Sequence, residues 1–311
     1  FYKMIDGCNL DACIICQNNV IIATLPGIEP ITRFDKNEFL LVDNLLFSFG
    51  KRKYIAEVGR DGKLKYDKDM FLSHIGEIKD IKLSTGPNKK KIITIIPENG
   101  ENIIVVANKS NSIIEYHDKN IVKANNYFFA RSYNLTILDT PNIKEIGDNF
   151  LSDNRAIKNI NLPKVEHIGT NFLYYNNLVK SIDFPNLKTI SSKFMNTNSV
   201  MERLYLPNVT RIGSDFMLFS SLKYVNLPKL TNVGENFLRC NSDILELILP
   251  SLKYAGRHFI EQTDEYSDIL LKLHKVDKIK FKSHSDLTRI RKILLNRYKP
   301  KRMLDEFELT N

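Results

Sequence analysis

The chain has 311 residues, 43% of them apolar and 10% aromatic, with no Trp and a net charge of +9. That composition suits one large or two medium globular units with a buried core, and no run of 18 uncharged apolar residues offers a membrane-spanning helix. Four cysteines, three of them within the first 16 residues, exclude a scaffold built from disulfides.

The first motif is Cys8-x₄-Cys13-x₂-Cys16, which imitates a plant-type iron–sulfur spacing with Cys240 as a distant fourth thiolate. No Gly-rich loop surrounds it, and Leu10, Ile14 and Ile15 favour cysteines packed as small apolar residues. No metal or other cofactor is therefore expected. Asp43-Asn44 and Asp61-Gly62 separate apolar runs and predict hairpins. Gly59, Gly62 and Lys63 lack the spacing of a phosphate-binding loop. The six His residues, His74, His117, His167, His258, His274 and His284, form no short metal-binding pair. Residues 1–90 thus read as a β-rich region of no assignable family.

In 91–108, two apolar runs flank Asn99-Gly100, a signal for a type I′ hairpin. Pro97 also falls in the register of the repeat described next, so a further degenerate repeat is the alternative. From Ile113 to Asn134 a degenerate first repeat is expected. Ile121 and Phe128 stand in column there, with Lys119 and Asn125 in place of Pro and Gly. Hairpin and first repeat together fill 91–134.

Residues 135–265 are periodic. Prolines stand at 141, 163, 185, 207, 228 and 250, spaced 22, 22, 22, 21 and 22. Six residues after each come Gly147, Gly169, Ser191, Gly213, Gly234 and Gly256. Nine after each come Phe150, Phe172, Phe194, Phe216, Phe237 and Phe259. Before each Pro an alternating apolar pair, such as Ile160 and Leu162 or Leu204 and Leu206, predicts a strand with one buried face. A second apolar pair follows each Pro, as in Ile143 and Ile146 or Val209 and Ile212. Asn154, Asn176, Asn198 and Asn241 mark a turn, with Ser220 and Thr263 in the other two units.

Each column has a physical role. Pro lacks an N–H and ends the strand. Gly is expected to supply positive φ at the corner before Phe. Phe is the largest wedge of a layer and should stack on its neighbours. Asn tolerates left-handed φ and bonds local backbone. One 22-residue unit buries too little to offset its own ordering, so stability requires stacking.

The stretches LPKVEHIGTNFLYYNN (162–177), LPNVTRIGSDFMLFSS (206–221) and LPKLTNVGENFLRCNS (227–242) resemble the BspA-like leucine-rich repeat family. The units here are a shorter variant, and Ser191 departs from the Gly column. The resemblance implies a repeat solenoid, α/β or mainly β, stacked in a curve behind the β-rich N-terminal region. It also implies a binding role, often at bacterial surfaces, and transfers no catalytic residue. A cell-surface or secreted location rests on it alone.

After Phe259 the pattern decays into a basic cap, 266–311. Ile269 and Leu271 suggest a seventh strand. Ser285 and Asp286 can cap a helix carrying Leu287, Ile290 and Leu294. Leu270 to Arg302 holds twelve Lys or Arg against two Asp or Glu, so the rest of the chain sums to −1.

Two and four residues before each Pro, side chains should point away from the core. They are Asn159, Asn161, Ser181, Asp183, Arg203, Tyr205, Tyr224, Asn226, Glu246 and Ile248, and in a solenoid such rows form the extended binding surface. Tyr205 and Tyr224, on adjacent layers, suggest a contact patch. The expected function is a non-enzymatic interaction protein that binds a protein or glycan through this face. The alternative is a nucleic-acid or anionic-membrane binder using the basic patch Lys278, Lys280, Lys282, Arg289, Arg291 and Lys292.

Overall fold

The computed structural model describes residues 15–17, 20–22, 39–50, 53–58, 64–65, 72–261, 270–273 and 279–297. Cys8, Cys13, Asp61-Gly62, Thr263, Ile269 and Lys278 lie outside them. The described residues of the N-terminal region are β-rich, as expected. Ile15–Gln17 pairs with Val20–Ile22. Phe39–Val42, Leu45–Ser48, Tyr54–Val58 and Leu64–Lys65 make an antiparallel meander. Asp43 turns the first hairpin at φ +48. It also docks the meander: its N–H donates to the Asn111 carbonyl at 2.8 Å, and its carboxylate accepts the Ile113 N–H at 2.8 Å.

Ile78–Thr85, Lys91–Pro97, Ile103–Ala107 and Ile113–His117 form consecutive antiparallel strands. The apolar runs of 91–108 thus form a hairpin, and the boundary between residues 90 and 91 falls between two paired strands. Its connection is not a type I′ turn, however. Ile95 faces Ile103 across seven intervening residues, and only Gly100 (φ +104) has the positive φ that type I′ demands at both central residues. Asn120 holds this loop instead, accepting the Glu101 N–H and donating to the Glu101 carbonyl, both at 2.7 Å. Ile137–Asp139 then joins Ile113–His117 in parallel, so the N-terminal sheet runs directly into the repeat array.

Each layer of the array has a strand, a Pro corner, a second short strand, a Gly corner, the Phe segment and an Asn corner. The second apolar pairs prove to be strands. Lys123–Ala124, Glu145–Ile146, His167–Ile168, Thr189–Ile190, Arg211–Ile212, Asn232–Val233, Tyr254–Ala255 and Lys280–Phe281 make a continuous parallel sheet. On the Pro-preceding side, Arg203–Tyr205, Tyr224–Asn226, Glu246–Leu249 and Leu270–Leu273 are parallel. The last, with Leu271 facing Leu247, is the expected seventh strand. Earlier layers on this side are looser, and Asp139 and Asn161 form a single bridge.

Phe128, Phe150, Phe172, Phe194, Phe216, Phe237 and Phe259 are buried and stacked, with centroids 5.3–5.6 Å apart and planes within 12°. Phe128 heads this column, and Lys123–Ala124 heads the second-strand sheet. The fold is a mainly β solenoid whose core is continuous from Val42 to Ile293.

The Gly column corrects its expected role. None of Gly147, Gly169, Gly213, Gly234 and Gly256 has positive φ. What they provide is clearance: a Cβ on Gly169 would stand 2.5 Å from the carbonyl carbon of Gly147, and one on Gly213 would stand 2.8 Å from that of Ser191. Positive φ falls instead on alternate residues around each Phe, as at Asn171 (+60), Leu173 (+49) and Tyr175 (+60). Their N–H groups reach neighbouring layers. Asn171 donates to Ser192 at 3.0 Å and Leu173 to Phe150 at 3.0 Å. The Phe segment is therefore a third backbone ladder.

The Asn column bonds local backbone, as expected, and more besides. Buried Asn198 accepts from the N–H groups of Val200 (3.1 Å) and Met201 (2.9 Å), and donates across the layer to the carbonyls of Asn176 (3.1 Å) and Val179 (3.0 Å).

At the far end Phe281 meets Phe259 edge-on at 5.8 Å, and the helix His284–Arg297 covers the stack with Ile290 and Ile293. The helix begins before Ser285 and Asp286, so neither is its cap. Buried Asp286 lies in the first turn and pairs with Arg289 at 2.5 Å. Among the described residues no helix is long and apolar enough to cross a membrane.

Candidate functional site

Strand register places the outward positions from Arg203 to Ile248 on one face. Arg203, Tyr224 and Glu246 stand opposite one another, as do Tyr205, Asn226 and Ile248. Asn159, Asn161, Ser181, Asp183, Arg203 and Tyr205 are exposed, whereas Tyr224, Asn226, Glu246 and Ile248 are half-buried. Tyr205 and Tyr224 are on adjacent layers but do not face each other. The Arg203 guanidinium lies 3.9 Å above the Tyr224 ring, which leaves Tyr205, 58% exposed, as the open aromatic.

The face extends further toward the N-terminus than the Pro units. Glu115 faces Ile137 and His117 faces Asp139, and Val106 and Ile104 face Glu115 and His117 in turn. Of these, Ile104, Val106, Glu115, His117 and Asp139 line an open groove with Ile92, Glu101, Asn102 and Lys119. Its floor is aliphatic and its rim is charged. Lys90 bonds Glu115 at 3.0 Å, the two nitrogens of His117 lie 3.5 Å from Glu115 and 3.4 Å from Asp139, and Lys119 lies 3.4 Å from Glu101. Burial pushes the Glu115 carboxyl up, but its bonds to Lys90 and His117 outweigh this and hold it below the usual range.

Sequence reasoning missed Glu115, His117, Ile137 and Asp139. The signal was present: the first pair stands four and two residues before Lys119, which occupies the Pro position, and the second pair stands likewise before Pro141.

The basic patch is not brought together as a set of free cations. Arg289 pairs with Asp286 and donates to the Phe259 carbonyl at 2.6 Å, so it closes the stack. Lys282 pairs with Glu235 at 2.5 Å. Lys280, Arg291 and Lys292 are exposed. Cys240 is a half-buried free thiol in the Phe segment, and no group of three metal-ligating side chains occurs among the described residues. His74, by contrast, is drawn into a buried network. Its Nε2 lies 2.5 Å from Asp118, which also accepts the Tyr116 hydroxyl at 2.8 Å.

Stacked phenylalanines, parallel short strands and a periodic outward face define a leucine-rich-repeat-type solenoid. A family model described as the BspA type leucine rich repeat region matches in six copies, over residues 107–221 and 171–290, and the chain belongs to that family. No curated protein matches the sequence.

Proposed function

We propose that this protein is a binding protein rather than an enzyme, and that it captures a protein partner on the outward strand face. The observation that carries this is continuity. Ile113–His117 pairs with Ile137–Asp139 and Asp139 bridges to Asn161, so the groove leads into the array, and Ile104, Ile137 and Tyr205 are exposed to solvent. Exposed apolar and aromatic side chains within a polar field favour protein contact. Family membership supports the same role.

The test compares proteins retained from the host's surroundings by wild-type protein, by Tyr205→Ala with Ile137→Ser, and by a control with Phe219→Ser on the Phe-segment side. A partner lost from the first variant and kept by the control is expected, with unchanged thermal melts. Equal retention by all three proteins removes this face from the reading.

A further inference from the structure

The core side of the N-terminal sheet holds an amine against a carboxamide. Side chains alternate along Lys91–Pro97, and Lys91 shares a face with Ile93 and Ile95, both buried. It stands opposite Ala107, which in turn faces Ile113, and both of these are buried. Lys90, next in sequence, pairs with Glu115. Half-buried Lys91 has no carboxylate partner among the described residues, and its Nζ donates instead to Oδ1 of half-buried Asn111. Asn111 has φ +61, and Asn108 closes its turn by accepting the Ser110 and Ser112 N–H groups at 2.9 and 3.0 Å. The meander clamps the same turn. Asp43 donates its N–H to the Asn111 carbonyl and accepts the Ile113 N–H on its carboxylate, both at 2.8 Å. Desolvation raises the Asp43 carboxyl and outweighs its bonds from Ile113 and Ser112. Amine, carboxamide and acid thus arrive from a strand, a turn and a docked hairpin.

We propose that Lys91 and Asn111 join in an isopeptide bond, with Asp43 carrying the protons. A nitrogen bonded to Oδ1 stands within about 3–3.5 Å of Cγ, a near-attack separation. Nζ attacks Cγ, and the Cγ–Nδ2 bond breaks. Two of the three protons on Nζ pass by way of the Asp43 carboxylate, directly or across a water, to the departing Nδ2. Ammonium leaves and a secondary amide remains, so the step needs no oxidant and no other reactant. A carboxyl with raised affinity for protons suits both transfers. The bond fastens the strand Lys91–Pro97 to the turn on which the meander docks.

Intact-mass spectrometry of the purified full chain tests it. The wild-type mass should fall short of the sequence by one ammonia. Peptide mapping should find Lys91 and Asn111 in one branched peptide that trypsin leaves uncut at Lys91. Lys91→Arg and Asn111→Ala should each restore the full mass. Asp43→Asn keeps the N–H donor and an acceptor oxygen, so the turn stays docked, yet ammonia release should slow by about a hundredfold or more. A full wild-type mass overturns the proposal. So does an ammonia lost elsewhere, as from Asn99-Gly100, with the Lys91 and Asn111 peptides separate. An unslowed Asp43→Asn chain overturns the part assigned to Asp43. None of these outcomes bears on what the outward face captures, because Lys91 alternates with Ile92 and lies on the other side of the sheet.

Discussion

Gly169 shows how a residue can be legible in position and opaque in purpose. Its column is plain from spacing alone, and the ready explanation for glycine at a corner is a left-handed backbone. The stack uses it for clearance, because the carbonyl carbon of Gly147 lies 2.5 Å from where a Cβ would sit. Because φ at Gly169 is not positive, the sign of a Gly→Ala change depends on space alone. Where φ is negative and space is free, Gly→Ala gains about 0.4–1 kcal/mol by restricting the unfolded chain. At an overpacked site it costs about 1–3 kcal/mol. We expect Gly169→Ala to lower the urea midpoint by the latter amount, and a raised midpoint would reject the clearance argument. Ser191 carries a Cβ in this column, so the layers yield by a local shift and the cost stays moderate. The outward residues near Pro141 and Lys119 were equally readable, since their positions follow from the same register.

Among elements, the Pro-preceding strands could be anticipated because their apolar and polar residues alternate. The second strands could not, since two hydrogen-bonded residues per layer leave no periodic run. The Phe-segment ladder gave still less warning. Its left-handed positions hold Asn171, Leu173 and Tyr175 in one layer and Lys193, Met195 and Thr197 in the next, residue types that do not advertise positive φ. Neighbouring layers impose that backbone. The Asn corner is what closes the segment. Asn198→Ala would strand two carbonyls and two N–H groups in a buried place, each worth about 1 kcal/mol or more. We expect a loss of at least about 3 kcal/mol in denaturant unfolding, and a loss below about 1 kcal/mol would mean water replaces the side chain.

At the scale of the molecule, the meander and the residue 72–76 segment are tied to the first layer by polar contacts. Asp118 is central, with His74, Tyr116 and the Asn120 N–H on its oxygens. Burial raises its carboxyl, but the hydrogen bond and charge of His74, with the other two bonds, outweigh this and hold it below 3.8. A lowered folded-state value means this stabilisation is complete above 3.8 and is lost as pH falls through the lower value. Urea midpoints measured from pH 7 downward should therefore drop in the acid range, and less steeply in Asp118→Asn. Identical slopes would show that Asp118 does not carry the effect.

The fixed distances around each turn of the stack have an evolutionary corollary. From Pro to Phe is always nine residues and from Phe to the Asn position always four, and the one shortened unit loses its residue between Ser220 and Tyr224. From Arg203 onward, three ladders tie each layer to its neighbours. Among the six proline units, then, that single corner is where duplication, recombination or a grafted peptide could change a unit's length without forcing the units beside it to follow.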